Sequence, residues 1–181
     1  YNHSNANYSQ LNTDRNDNGI FNMALVLNPT ETPYDASDPT GYNVWTGGYE
    51  YWNPVAEVML LKNQTEYKNL LANSTLKLNI TDYLNTSVMV GINNRSDHPV
   101  FYRSAQHRVS RENGIDGFAR QAYGRGNDRT FEWTVNFNKK INDHNINAVA
   151  GYSYQDFNSR GFDASNSNFP VDGLEENGLG N

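Results

Sequence analysis

The sequence predicts an all-β fold of about four long antiparallel strands, and three observations carry that expectation. The first is alternation. Across "STLKLNITDYLNTSVMVGINN" (74–94), Leu76, Leu78 and Ile80 oppose Thr75, Lys77 and Asn79, and Thr86, Val88, Val90 and Ile92 oppose Ser87, Met89, Gly91 and Asn93. A period of two places successive side chains on opposite faces of a sheet. The second is composition: 36% apolar but 13% aromatic, with a mean hydropathy of -0.81. That suits strands that are apolar on one face only, and there is too much aromatic for a disordered chain. The third is the rhythm of the connections, which run short, long, short, long.

Residues 1–66 read as irregular, rich in Asn, Asp, Ser, Thr and Gly and punctuated by Pro29, Pro33, Pro39 and Pro54. Within them "IFNMALVL" (20–27) has the makings of a helical turn or two before "NPT" stops it. The first strand is expected over 68–81, where Leu70, Ala72, Ser74, Leu76, Leu78 and Ile80 share a face. A tight connection, "DYLN", leads to a second strand over 86–95. A long polar excursion is expected over 96–126. The third strand, "RTFEWTVNFNK" (129–139), sets Phe131, Trp133, Val135 and Phe137 against Thr130, Glu132, Thr134, Asn136 and Asn138. A short turn, "KINDHN", leads to the fourth, "INAVAGYSYQDF" (146–157), with Ala148, Ala150, Tyr152 and Tyr154 on one face. Residues 158–181 read as loop.

Alternation alone fits two architectures. In a soluble sandwich or small barrel the apolar face packs inward on a core. In a transmembrane barrel that face looks at lipid, the lumen is polar, periplasmic turns are short and extracellular loops long. The amide and charged groups of the polar face, aromatics toward strand ends (Tyr83, Phe131, Trp133, Tyr152, Tyr154) and the asymmetry of the loops favour the second. On that reading Leu76, Leu78, Ile80, Val88, Val90, Phe131, Trp133 and Val135 face lipid. Lys77, Asn79, Glu132, Asn136 and Asn138 face the lumen. The fold class is then an antiparallel transmembrane β-barrel segment, an incomplete barrel. Residues 1–66 form an irregular extracellular loop region, and 67–181 the barrel strands and loops. The alternative is a soluble extracellular β-rich glycan-binding module.

Bulk properties narrow the partners. The net charge of -6 disfavours a general nucleic-acid binder, and the absence of cysteine argues against a disulfide scaffold or a cysteine-based zinc site. No apolar run approaches a transmembrane helix, and no signal peptide is visible. A chain opening at Tyr1 reads as a mature product or an internal fragment of a longer protein.

Four features bear on chemistry. "DRNDNG" (14–19) matches the start of a calcium loop through Asp14, Asn16 and Asn18, but its twelfth position is Leu25 where a bidentate Glu belongs, so an Asn/Asp-rich turn is the simpler reading. The excursion after Asn94 interleaves Arg103, His107, Arg108, Arg111, Arg120, Arg125 and Arg129 with Phe101, Tyr102, Phe118 and Tyr123. Such a set meets nucleic acid, lipopolysaccharide phosphates or an acidic partner, and the nearby Glu112, Asp116 and Asp128 make internal pairing the favoured reading. "YNVWTGGYEYWN" (42–53) gathers Trp45, Tyr49, Tyr51 and Trp52, rings that hold a sugar by stacking or pin a loop in place. Catalytic motifs are lacking, and the neighbours Asp97–His98 and Asp143–His144 have no third group, so no enzyme and no cofactor is expected.

Four segments, in order, resemble one family: "FNMALVLNPTETPY" (21–34), "YWNPVAEV" (51–58), "NAVAGYSYQ" (147–155) and "SNFPVDGL" (167–174). They are similar to the SusC/RagA family, the TonB-dependent outer-membrane transporters of Bacteroidetes. The resemblance implies a larger parent with a plug, a TonB-box segment and a barrel of about 22 strands. This chain would supply about four of those strands. The implied function is nutrient uptake across the outer membrane, of glycans or oligopeptides. The implied partners are a SusD-like surface lipoprotein, the TonB complex through the absent plug, and outer-membrane lipid and lipopolysaccharide. No nucleic acid is among them.

Overall fold

A computed structural model describes residues 2–7, 20–43 and 53–180. The order of elements is β1 (Asn2–Asn7), α1 (Ile20–Val26), α2 (Pro54–Leu60), β2 (Leu61–Thr81), β3 (Leu84–Arg103), α3 (Arg108–Glu112), β4 (Phe118–Ile141), β5 (His144–Ser167) and a 3-10 helix, Asp172–Gly180. One sheet holds the strands in the order β1-β2-β3-β4-β5, and β2 to β5 form a four-stranded antiparallel meander that does not close into a barrel. The fold is therefore all-β with little helix. Among the described residues no helix is long and apolar enough to cross a membrane, which says nothing of strands.

The two tight connections are two residues each, Asp82-Tyr83 and Asn142-Asp143. Asn142 takes φ 54, a left-handed conformation that an Asn tolerates far better than a β-branched residue.

The long strands exceed the expected ones. They run 21, 20, 24 and 24 residues. The excursion expected over 96–126 contracts to the stretch 104–117 around α3, because β3 continues to Arg103 and β4 starts at Phe118. Residues 158–167, expected as loop, extend β5. Pairing propagates along the backbone ladder wherever a neighbouring strand continues, and needs no apolar alternation to do so. Residues 61–66, within the stretch expected to be irregular, open β2. The helix expected at 20–27 is α1.

Two compact units divide the described residues. The first comprises 67–97 and 124–161 with the start of β1; the second holds the rest. In the first, cross-strand contacts set the register of β3 on β4. Trp133 Nε1 donates to Thr86 Oγ1 at 2.8 Å, Ser87 and Thr134 hydroxyls meet at 2.6 Å, and Asn136 Nδ2 donates to Asn85 Oδ1 at 3.0 Å. Thr86 thus lies with Trp133, and Ser87 with Thr134, on opposite faces.

The second unit has a small core of Tyr102, Ala119 and Phe169, with Leu179 packed against it. Gly117, at φ 82, lets the chain pass close to Phe169: a Cβ there would lie 3.3 Å from its ring. Asn53 organises the approach to α2. Its side chain caps the helix by accepting from the Val55 and Ala56 amides, and its Nδ2 donates to the Pro33 carbonyl at 2.6 Å and to the Asn43 carbonyl at 3.1 Å. Pro54 follows where a missing amide hydrogen costs nothing. α1 packs against α2 and buries Met23.

Candidate functional site

Two surfaces present organised chemistry, one in each unit. In the first unit it is the polar face of the sheet. Gly91 of β3 sits beside Asn73 of β2 and Thr130 of β4, its would-be Cβ 3.9 and 3.8 Å from theirs, so these three positions share a face. By strict alternation that face also carries Lys77 and Asn79 of β2 and Glu132, Asn136 and Asn138 of β4. The residues grouped together from sequence are therefore grouped in the fold. The opposite face carries Leu76, Leu78 and Ile80, then Val88 and Val90, then Phe131, Trp133 and Val135. Phe131 meets Tyr152 of β5 there, ring centroids 6.4 Å apart. This apolar row is open: Leu76 is 73% and Leu78 59% exposed, and no core residue of the described set belongs to it. Toward the two-residue turns, Tyr83 packs edge-on against Phe137 at 5.7 Å and Lys139 lies over the Tyr83 ring at 4.3 Å.

In the second unit a cavity of about 520 Å³ is lined by apolar groups from Val58 to Leu61 and by Lys62, Tyr102, Ser104 and Asp172. Asp172 anchors the 3-10 helix to the end of β3. Its carboxylate accepts from the Tyr102 hydroxyl, the Ser104 hydroxyl and the Ala105 amide, the last at 2.9 Å. Burial works to raise the pKa of this carboxyl, but the Ser104, Tyr102 and Ala105 hydrogen bonds outweigh it and hold Asp172 below its ordinary 3.8. Lys62 pairs with Glu175 at 2.8 Å and Glu176 at 2.7 Å. Burial again opposes, yet the Lys62 ammonium keeps the Glu176 carboxyl below its usual range.

At this cavity wall, Glu57 forms a buried pair with His107. The His107 ring accepts from the Val109 amide at Nδ1 (3.2 Å), so it donates from Nε2 to Glu57 Oε2 at 2.7 Å. The same Nδ1 contact caps α3. Every acidic side chain around the cavity is thus already held by a protein donor, and the constellation acts as a frame for the segments it joins.

The basic excursion resolves mostly into ion pairs, as internal pairing required. Arg108 meets Glu112 at 2.5 Å, Arg111 meets Asp38 at 3.5 Å and Arg120 meets Asp163 at 2.5 Å. Glu112 is one of the near neighbours that sequence offered, but the other partners differ: Asp128 is taken by Arg95 at 3.0 Å, and Asp38 and Asp163 come from distant segments. Arg103 lies over the Phe118 ring and donates to Ser110. His98 faces Gln121 at 3.4 Å, not a dyad partner. The aromatic cluster Trp45, Tyr49, Tyr51 and Trp52 and the calcium candidates Asp14, Asn16 and Asn18 lie outside the described residues.

Sequence reasoning missed Glu57, Lys62, Ser104, His107 as a cap, and Asp172. None has a local motif. Pro33 and Asn53 hydrogen-bond to each other in this unit, and Phe169 and Asp172 join its core and the end of β3.

What fold and site define is an all-β chain with a one-sidedly apolar antiparallel sheet and a polar-locked second unit. No family model matches the chain, and no curated protein matches it.

Proposed function

We propose that the chain is a piece of barrel wall from a TonB-dependent outer-membrane transporter of the SusC/RagA type, importing glycans or oligopeptides with a SusD-like surface lipoprotein, and not an enzyme. The observation that supports this most directly is the exposed apolar row of β2 to β4, Leu76, Leu78, Val90 and Trp133 among it, backed by an amide-rich opposite face. A soluble sheet covers such a row with a core; lipid is the other solvent that suits it. Strands of 20 to 24 residues also exceed the roughly 10 that a tilted transmembrane strand needs. In this reading Asp82-Tyr83 and Asn142-Asp143 are periplasmic turns and 104–117 is an outer loop. Lys77, Asn79, Glu132, Asn136 and Asn138 face a hydrated lumen, and the TonB complex acts through a plug carried elsewhere in the parent protein.

The test is to place a charge on each face. Leu78→Arg and Val135→Arg should each cost about 2–4 kcal/mol at mid-bilayer and deplete the protein from the outer-membrane fraction. Asn79→Arg and Asn136→Arg should leave assembly intact. Membrane assembly that tolerates Leu78→Arg and Val135→Arg, or recovery of the native protein as a soluble species, would sink the proposal.

A further inference from the structure

Strand register brings two arginines together. β4 and β5 are each 24 residues long and meet at a two-residue turn, so their pairing needs no inserted residue. A Cβ on Gly151 would lie 3.3 Å from Thr134 Cγ2, and Tyr123 stacks on Phe162 with ring centroids 6.3 Å apart, both in the register that this turn sets. Arg125 is therefore directly opposite Arg160, and Arg129 directly opposite Asp156. All four lie on the face of Phe131 and Tyr152, just beyond the apolar row.

Elsewhere in the sheet, Arg95 and Arg120 each hold a carboxylate, Asp128 at 3.0 Å and Asp163 at 2.5 Å. Arg125, Arg129 and Arg160 hold none among the described residues, and all three are exposed. Arg125 spends a single donor, Nε to Asn127 Oδ1 at 3.3 Å. Asp156 is half-buried and forms no ion pair among the described residues. Lys68 of β2 falls in the row of Arg125 by the Gly91–Asn73 register, but it is already engaged.

Like charges directly opposite one another destabilise a strand pair, so Arg125 and Arg160 carry a local cost that no carboxylate offsets. Directly opposite side chains start about 5 Å apart, close enough for two guanidinium forks to converge on one phosphate.

We propose that Arg125 and Arg160, with Arg129 nearer the apolar row, clamp a phosphate of a phosphorylated glycolipid headgroup in the outer leaflet. The charge suits phosphate, and the position suits a lipid. The clamp lies on the strands and the face that carry the apolar row, past its aromatic edge at Phe131 and Tyr154. A free phosphate or an acidic protein segment would meet the charge and gain nothing from the apolar row beside it. The clamp deepens the transporter reading and rests on it, since that reading puts this face of the sheet in lipid.

The experiment uses the whole membrane protein that carries this chain, purified in detergent. It is incubated with rough lipopolysaccharide, with the same lipopolysaccharide stripped of phosphate, and with inorganic phosphate, and native mass spectrometry counts what stays bound. The wild type should hold at least one lipopolysaccharide more than the Arg125→Ala/Arg160→Ala double variant. The affinity of that step should be about tenfold or more weaker in the variant, and restored in part by Arg125→Lys/Arg160→Lys. Phosphate-stripped lipopolysaccharide should bind the wild type and the double variant alike. Equal retention of the intact lipid by both, wild type that holds stripped and intact lipid equally well, or inorganic phosphate that displaces the lipid at equimolar concentration would overturn the proposal. Fractionation reads out separately. Unchanged lipid retention in a membrane-assembled double variant defeats the clamp and leaves the transporter reading standing. Recovery of the native protein as a soluble species defeats that reading, and the clamp with it.

Discussion

Glu57 and His107, 50 residues apart in sequence, meet as a buried pair, with His107 Nε2 donating to Glu57 Oε2 at 2.7 Å. Glu57 opens α2 and His107 caps α3, so one contact ties two short helices that could not stand alone. Removing one partner leaves the other buried without its mate. Glu57→Ala or His107→Ala should therefore destabilise the second unit by about 1–3 kcal/mol. The check is thermal unfolding together with protease cleavage within 104–117, which both variants should accelerate while cleavage at the Asp82-Tyr83 turn stays unchanged.

Asp172 makes the same unit sensitive to acid. Its folded pKa lies below the ordinary 3.8, so the stability it contributes is fully present above that value and is lost as pH falls through the folded value. Glu176 adds to the slope with the same sign. Protease sensitivity of 168–180 should rise below about pH 4. Asp172→Asn should raise that sensitivity at neutral pH and flatten its acid dependence. Unaltered acid dependence in the variant would mean that other carboxylates carry it.

Gly117 offers a test of backbone shape without chemistry. At φ 82 an alanine is strained, and its Cβ would crowd Phe169 at 3.3 Å and the Arg103 carbonyl at 3.4 Å. Gly117→Ala should cost about 1–2 kcal/mol from the left-handed backbone alone. Gly114, also at positive φ but with open space around it, should show the backbone cost without the crowding. The difference between the two melting shifts measures the packing of Phe169.

At the Asn142-Asp143 turn, φ 54 at Asn142 predicts an ordering of substitutions. Asn142→Gly should be close to neutral, and Asn142→Val should cost about 1–2 kcal/mol and slow refolding of the β4–β5 hairpin. Equal refolding rates in the two variants would show that this turn forms after the strands have paired.

Much of the sheet was legible from residues alone. The pairs Leu76/Lys77, Leu78/Asn79 and Trp133/Thr134 announce strand and face together, because a side-chain period of two needs no knowledge of neighbours. The turns "DYLN" and "KINDHN" were legible for the same local reason. Strand ends were not. Residues 96–103, 118–128 and 158–167 lack a clean alternation, and they are strand because the adjacent strand continues beside them.

Of the second unit, α1 was legible but its polar contacts were not. Asp172 looks like a loop residue in "PVDGL", and only the fold brings it to Tyr102, Ser104 and Ala105. Arg95 has Asp97 two residues away on its own strand, yet it takes Asp128 on the next and leaves Asp97 open above Gly124. By itself the sequence determined the strands, their faces and the short turns, since those depend on periodicity and backbone preference within a few residues. Tertiary structure decided which charges are paired, which are left open, and where strands end. Those outcomes depend on distances between segments tens of residues apart, which no local pattern encodes.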